Sequence, residues 1–437
     1  MRYVLRPFSV WVRYFPQLAA CYLAGLLARE GAIDLAAWAG HDNVWWASVI
    51  MPLAGMARLG SYVAMFLVLR PAFPVLASLG KRPARRIDLF STVIVPFFAI
   101  YLAWQMFRED WLAFETRALQ YRLDETLTAA IAGAPATELH PEALPVSAAT
   151  WVLIGGALVF RTLLAKLKDR LPGWFIAVRV YVDALWVFLV LSFSVNQGLT
   201  ILLNPAGWIA NRRIIVWFSS TREELFSHFR PLEVAWDAVM WSWSTVFGGA
   251  AVPLIWLAVA GIVYGVTLNT GWREVARRVA GERVFTTVER SVPVQKRWQG
   301  RLNRVPKALR DKSREHAVAQ LGKFRPIVDS ARVVLHGGIL ALALYVLGYL
   351  GLAWLDMTGS FYRAQIGDGY LLRGVAWVIG PHPLPFWQGY LDTISVVSHL
   401  LVETLRIALI ASTFAYCVEH AAEQAAPEQP VTTPAAT

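Results

Sequence analysis

Charge is scarce in this chain: 16% of its 437 residues are charged, against 57% hydrophobic. Soluble domains carry about a quarter charged residues, so a soluble core is excluded as the main architecture. Cysteine is almost missing. Cys21 and Cys417 are the two present, both in apolar stretches, which excludes a disulfide-stapled ectodomain. Lysine is short as well, with seven among 41 basic residues; together with abundant Ala, that bias points to a high-GC bacterial genome. No GxxxxGK[ST], Rossmann GxGxxG or GxSxG pattern occurs, which argues against a built-in ATPase, a nucleotide-binding fold or a hydrolase elbow. HExxH and paired CxxC motifs are missing too, so no metal and no cofactor are expected. The opening residues, Met1 to Pro7, lack a compact apolar run leading to a small-residue cleavage site, and the N-terminus is expected to be retained.

What the chain has is long apolar runs. A bilayer span needs about 20 mainly apolar residues, and eight stretches qualify: about 10–28, 45–69, 88–107, 148–165, 174–202, 238–267, 331–355 and 391–417. The expected fold class is therefore all-α, a polytopic membrane helix bundle of about eight transmembrane helices. The organisation reads as three spans in 1–107, a helical extracytoplasmic insert at 108–147 and spans four to six in 148–267. Within these, 203–236 is an interfacial outer loop whose Ser220-Thr221-Arg222-Glu223 fits a capping box. A basic cytoplasmic region follows at 268–326, then the last two spans in 327–420 and a disordered tail at 421–437. The first run, interrupted by Arg13 and Pro16, is expected to end at Arg29-Glu30.

The basic region sets the orientation. It carries a net charge of +10, against +11 for the whole protein, and Lys and Arg near spans favour the cytoplasmic side. Both termini then fall in the cytoplasm of a bacterial plasma membrane. Arg297, Arg301, Arg304, Lys307 and Arg310 are candidates for binding anionic lipid headgroups, each basic residue contributing about 1 kcal/mol near such a surface. An acidic cytoplasmic or membrane protein is the second candidate partner. Nucleic acid is not expected, because a membrane-tethered basic helix is explained without it.

The candidate site lies in the eighth span. Asp392, Ser395, His399, Glu403 and Arg406 step by three or four residues, which places them on one helical face. An ionisable group at bilayer depth costs from about 2.5 kcal/mol upward and so faces a bundle interior or a wet cavity. Glu403 and Arg406 can neutralise each other; alternatively His399 and Glu403 form a protonatable pair in a transport path. Asp183, Arg58, Arg161 and His336 are further in-membrane polar residues able to converge on this face. Arg179 has helical spacing to Asp183 and is expected to pair with it. His41, Asp42, Glu138, His140, Glu142, Asp368 and His382 are outer-face candidates for a catalytic carboxylate. The heptapeptides Val152–Leu158 and Val334–Leu340 resemble each other, both centred on Gly-Gly.

These readings lead to a multi-pass membrane protein that moves, or helps to move, a lipidic or small polar substrate, in cell-envelope biogenesis among other settings. A scaffold subunit docking through the basic segment is the alternative, and a membrane-embedded lipid-modifying enzyme the third.

Overall fold

The computed structural model describes residues 2–79, 106–133, 148–167, 172, 175–196, 250, 252–265, 333–335, 337–356 and 369–425. Among these, 92% are helical and no strand occurs. The basic region 268–326, the loop 203–236, His336 and nearly all of the third predicted span lie outside the described residues.

Helix α1 (Arg2–Gly40) is longer than its apolar run. It passes through Arg29-Glu30 because both side chains find partners on a neighbouring helix. It ends at Gly40, where the backbone of Ala47 comes too close for a Cβ. Asn43 then caps α2 (Val44–Ile50), its side chain accepting from Trp45 N at 3.0 Å. Pro52 opens α3 (Pro52–Leu69) at a position where its missing N–H costs nothing. After a 3-10 turn at Arg70–Ala72, α4 (Pro74–Leu79) closes the segment. The hairpin returns to its starting level, since the Arg6 guanidinium lies 5.0 Å above the Phe73 ring.

Five further elements complete the described molecule up to α9. They are α5 (Met106–Ile131), α6 (Ala148–Lys166), α7 (Phe175–Asn196), α8 (Val252–Tyr264) and α9 (Ile339–Asp356). The amphipathic α10 (Tyr370–Ile379) ends at Gly380, whose φ of 86° suits glycine, and α11 (Leu384–Ala425) runs 42 residues to the end of the described chain.

The core is the packing of α1 against α3 and α11, with α8 wedged between the latter two. Tyr264 of α8 contacts Phe66 and Phe414, each with ring centroids 5.9 Å apart, and Trp256 meets Tyr62 at 5.1 Å. Helix α9 lies along α11 and ties back to α8 through Tyr345 Oη, which donates to the Pro253 carbonyl at 2.7 Å. Helix α7 joins this core through Val180, Ala184 and Phe188 and donates from Tyr181 Oη to the Val49 carbonyl of α2 at 2.7 Å, while α6 packs on α7 and shares with it a small cluster that reaches Val44.

Among the described residues, three segments are long and apolar enough to cross a membrane: Val44–Ala72, Ile339–Asp356 and Gly389–Glu423. Thr150–Leu164, Val252–Tyr264 and Tyr370–Ile379 are shorter apolar helices. Large apolar side chains remain on the outside of these elements, Val152, Leu340 and Leu347 among them. In water such a surface is a liability; against hydrocarbon it is the solvated face. The protein is membrane-embedded.

The two Gly-Gly heptapeptides take different structures. Gly155-Gly156 lies inside α6, whereas Gly337-Gly338 breaks the chain before α9, with Gly338 at φ 81° and Gly337 packed on Cys417 Sγ. Their resemblance does not extend to conformation.

Candidate functional site

Two spans carry an arginine at their midpoints. Arg58 lies fourteen residues from either end of Val44–Ala72, and Arg406 seventeen from either end of Gly389–Glu423. Both line one cavity of about 340 Å³, at the lower end of the size range of small-molecule sites. Tyr22 and Arg29 of α1, Tyr62 of α3, Glu109 of α5, Tyr349 of α9, and His399 and Glu403 of α11 complete its polar wall.

Each charge in this wall has a counter-charge. Asp110 is fully buried and accepts from two guanidinium groups, Arg29 Nε at 2.7 Å and Arg58 at 2.8 Å. Arg58 also reaches Glu109 at 3.1 Å, and Arg29 contacts Glu30. Along the outer part of α5, Arg117 pairs with Glu30 and with Asp34 at 2.8 Å. These pairs explain why α1 stays helical past its apolar run: its charged half runs alongside α5 in the same direction.

On α11, Arg406 donates to Glu403, and its guanidinium lies 5.2 Å from the Tyr349 ring centroid. The structural pairing of these two residues is thus present. The Nε of Arg406 is nevertheless buried with no hydrogen-bond partner among the described residues. His399 turns to a different carboxylate. Its Nδ1 lies 3.1 Å from Ser395 Oγ, and its Nε2 lies 3.7 Å from Oδ2 of buried Asp356 on α9. Asp356 Oδ1 accepts from Ser398 Oγ at 2.7 Å. The 3.7 Å separation is beyond hydrogen-bond reach, so Ser395, His399 and Asp356 do not form a nucleophilic relay as they stand.

Of the residues proposed from sequence, His399, Glu403, Arg406 and Arg58 meet at this cavity. Asp392 does not; it is exposed on α11. Asp183 and Arg161 are drawn together elsewhere, Arg161 Nε donating to Asp183 at 2.6 Å while its guanidinium lies 4.7 Å from the Trp186 ring. The partner of Asp183 is therefore on α6, not Arg179 one turn away. His336, Arg297, Arg301, Arg304, Lys307 and Arg310 lie outside the described residues. Sequence reasoning missed Arg29, Glu109, Asp110 and Asp356. Asp356 closes an apolar run, and Glu109-Asp110 opens an acidic one, so each reads as a boundary residue.

Comparison with protein-family models, with curated proteins and with solved structures finds no match to this chain.

Proposed function

We propose that this protein moves, or helps to move, a small polar molecule, or the polar head of a lipid, across a bacterial plasma membrane through the cavity between α1, α3, α5, α9 and α11. The observation that carries this reading is the convergence of Arg58 and Arg406, the midpoint residues of two spans, on one cavity. Each charge at such depth costs about 2.5–3.5 kcal/mol on insertion scales. A single ion pair would not need three arginines, two carboxylates and a histidine around a space of about 340 Å³. His399 supplies a protonatable group at the same wall, with the carboxylate of Asp356 3.7 Å away. Both termini are assigned to the cytoplasm by the charge of the 268–326 region, and that region to anionic headgroups.

The test is purification in a mild detergent followed by mass spectrometry of every co-eluting lipid, small molecule and protein. The expected result is a stoichiometric small molecule or lipid. It should disappear from Glu403→Gln and Arg58→Gln variants that remain monodisperse. A stoichiometric protein partner, with no small ligand and full tolerance of Glu403→Gln, would replace this reading with that of a scaffold subunit.

A further inference from the structure

A second cluster lies at the far end of α1, away from the cavity. His41 follows the last turn of α1, its ring stacked on Tyr121 of α5 with centroids 5.5 Å apart, and its side chain is 13% exposed. Nδ1 faces the Trp38 carbonyl at 2.7 Å and the Ala37 carbonyl at 3.3 Å. A carbonyl can only accept, so Nδ1 carries the hydrogen. In the neutral ring Nε2 therefore presents a lone pair. That lone pair points at two further acceptors: Oε1 of Glu125 at 2.8 Å and Oδ2 of Asp42 at 3.5 Å.

Three acceptors directed at one point repel unless a proton on Nε2 or a metal ion lies among them. The three donor atoms lie within 4.8 Å of one another, so that a small movement of the two exposed carboxylates brings all three onto one first-row metal ion at bond lengths of about 2.0–2.2 Å. A backbone carbonyl on the remote ring nitrogen is also the arrangement that orients metal-bound histidines. We propose that His41 Nε2, Asp42 and Glu125 form a divalent transition-metal site, with zinc the best fit, that clips the end of α1 to α5. One nitrogen ligand favours zinc over magnesium or calcium, which prefer all-oxygen sets. Three protein ligands leave a position open to water.

On the topology proposed above, the site is on the aqueous side. From Arg6 to His41 a helix rises by about 52 Å at about 1.5 Å per residue, more than the roughly 40–45 Å of a bilayer with its headgroups.

The test uses the full-length protein in nanodiscs, with any affinity tag removed, stripped with EDTA and titrated with zinc chloride at neutral pH by calorimetry. One equivalent is expected to bind, with His41→Gln and Glu125→Gln each weakening affinity at least tenfold and Asp42→Asn weakening it less. Glu125→His should strengthen zinc binding at least tenfold, a gain that a misfolded variant would not show. Zinc should also raise the thermal midpoint of the wild type and not that of Glu125→Gln. The proposal is overturned if zinc does not bind, if all variants bind it equally, or if equimolar magnesium competes for it. In the first two cases the cluster is an imidazolium–carboxylate contact only, and in the third it is a cation site without preference for zinc.

Discussion

Asp110 is the residue on which the charge balance of the cavity turns. It is fully buried and shared by Arg29 and Arg58, whereas neighbouring Glu109 is 36% exposed and touches Arg58 alone. Removing one partner of a buried ion pair costs about 3–5 kcal/mol, because the other charge is left uncompensated. Asp110→Asn leaves two guanidinium groups in that position, and a loss of about 3 kcal/mol in unfolding free energy is expected. Glu109→Gln should cost less than about 1 kcal/mol, as exposed pairs do. Thermal or denaturant unfolding in one detergent measures both, and equal losses would show that Asp110 is not the principal counter-ion. Sequence pattern alone marked His399, Glu403 and Arg406, since spacings of three and four on one helix fix a shared face. It did not mark Asp110 or Asp356. Their partners lie 81 and 52 residues away for Asp110 and 42 away for the hydroxyl that binds Asp356, distances that only tertiary packing brings together.

Helix contacts in this bundle depend on small residues where backbones approach. A Cβ on Gly25 would collide with the side chain of Ser61, whose hydroxyl donates to the Cys21 carbonyl at 3.1 Å. Gly25→Ala must push α1 from α3 beside the cavity, and overpacking of this kind costs about 1–3 kcal/mol. Pairing it with Ser61→Gly should restore part of the loss, and strict additivity in that double-mutant cycle would count against a direct clash. The two Gly-Gly pairs give a sharper contrast. Gly338 sits at φ 81°, so Gly338→Ala should cost about 1–2 kcal/mol through backbone strain alone. Gly156 is helical with open space at its Cβ position, and Gly156→Ala should gain about 0.5 kcal/mol by lowering the entropy of the unfolded chain. Thermal midpoints of the two variants should therefore move in opposite directions. The three candidate spans were legible from their apolar runs, because burial in lipid demands continuous hydrophobicity. The reach of α1 was not legible, because its charged half is held by α5 rather than by its own sequence pattern.

At the scale of the molecule, two contacts fix which ends lie together. Arg6 binds Glu419 through two hydrogen bonds of 2.8 Å and also covers Phe73. The start of α1, the foot of the first hairpin and the end of α11 are thus at one level. His41 lies at the opposite end of α1, and on the topology we propose it falls on the other side of the bilayer. This relation holds whatever the absolute orientation, which rests separately on the basic 268–326 region. Both can be read in one labelling experiment. With Cys21→Ala and Cys417→Ala as background, Asp42→Cys should react with a membrane-impermeant maleimide added to intact spheroplasts. Glu423→Cys and Arg301→Cys should react only in inside-out vesicles. Labelling of Asp42→Cys and Glu423→Cys from the same side would mean that α1 does not cross the membrane, and the cavity would then not lie at its midplane. Labelling of Arg301→Cys opposite to Glu423→Cys would instead leave the bundle intact and remove the basic region from the side where anionic headgroups attract it.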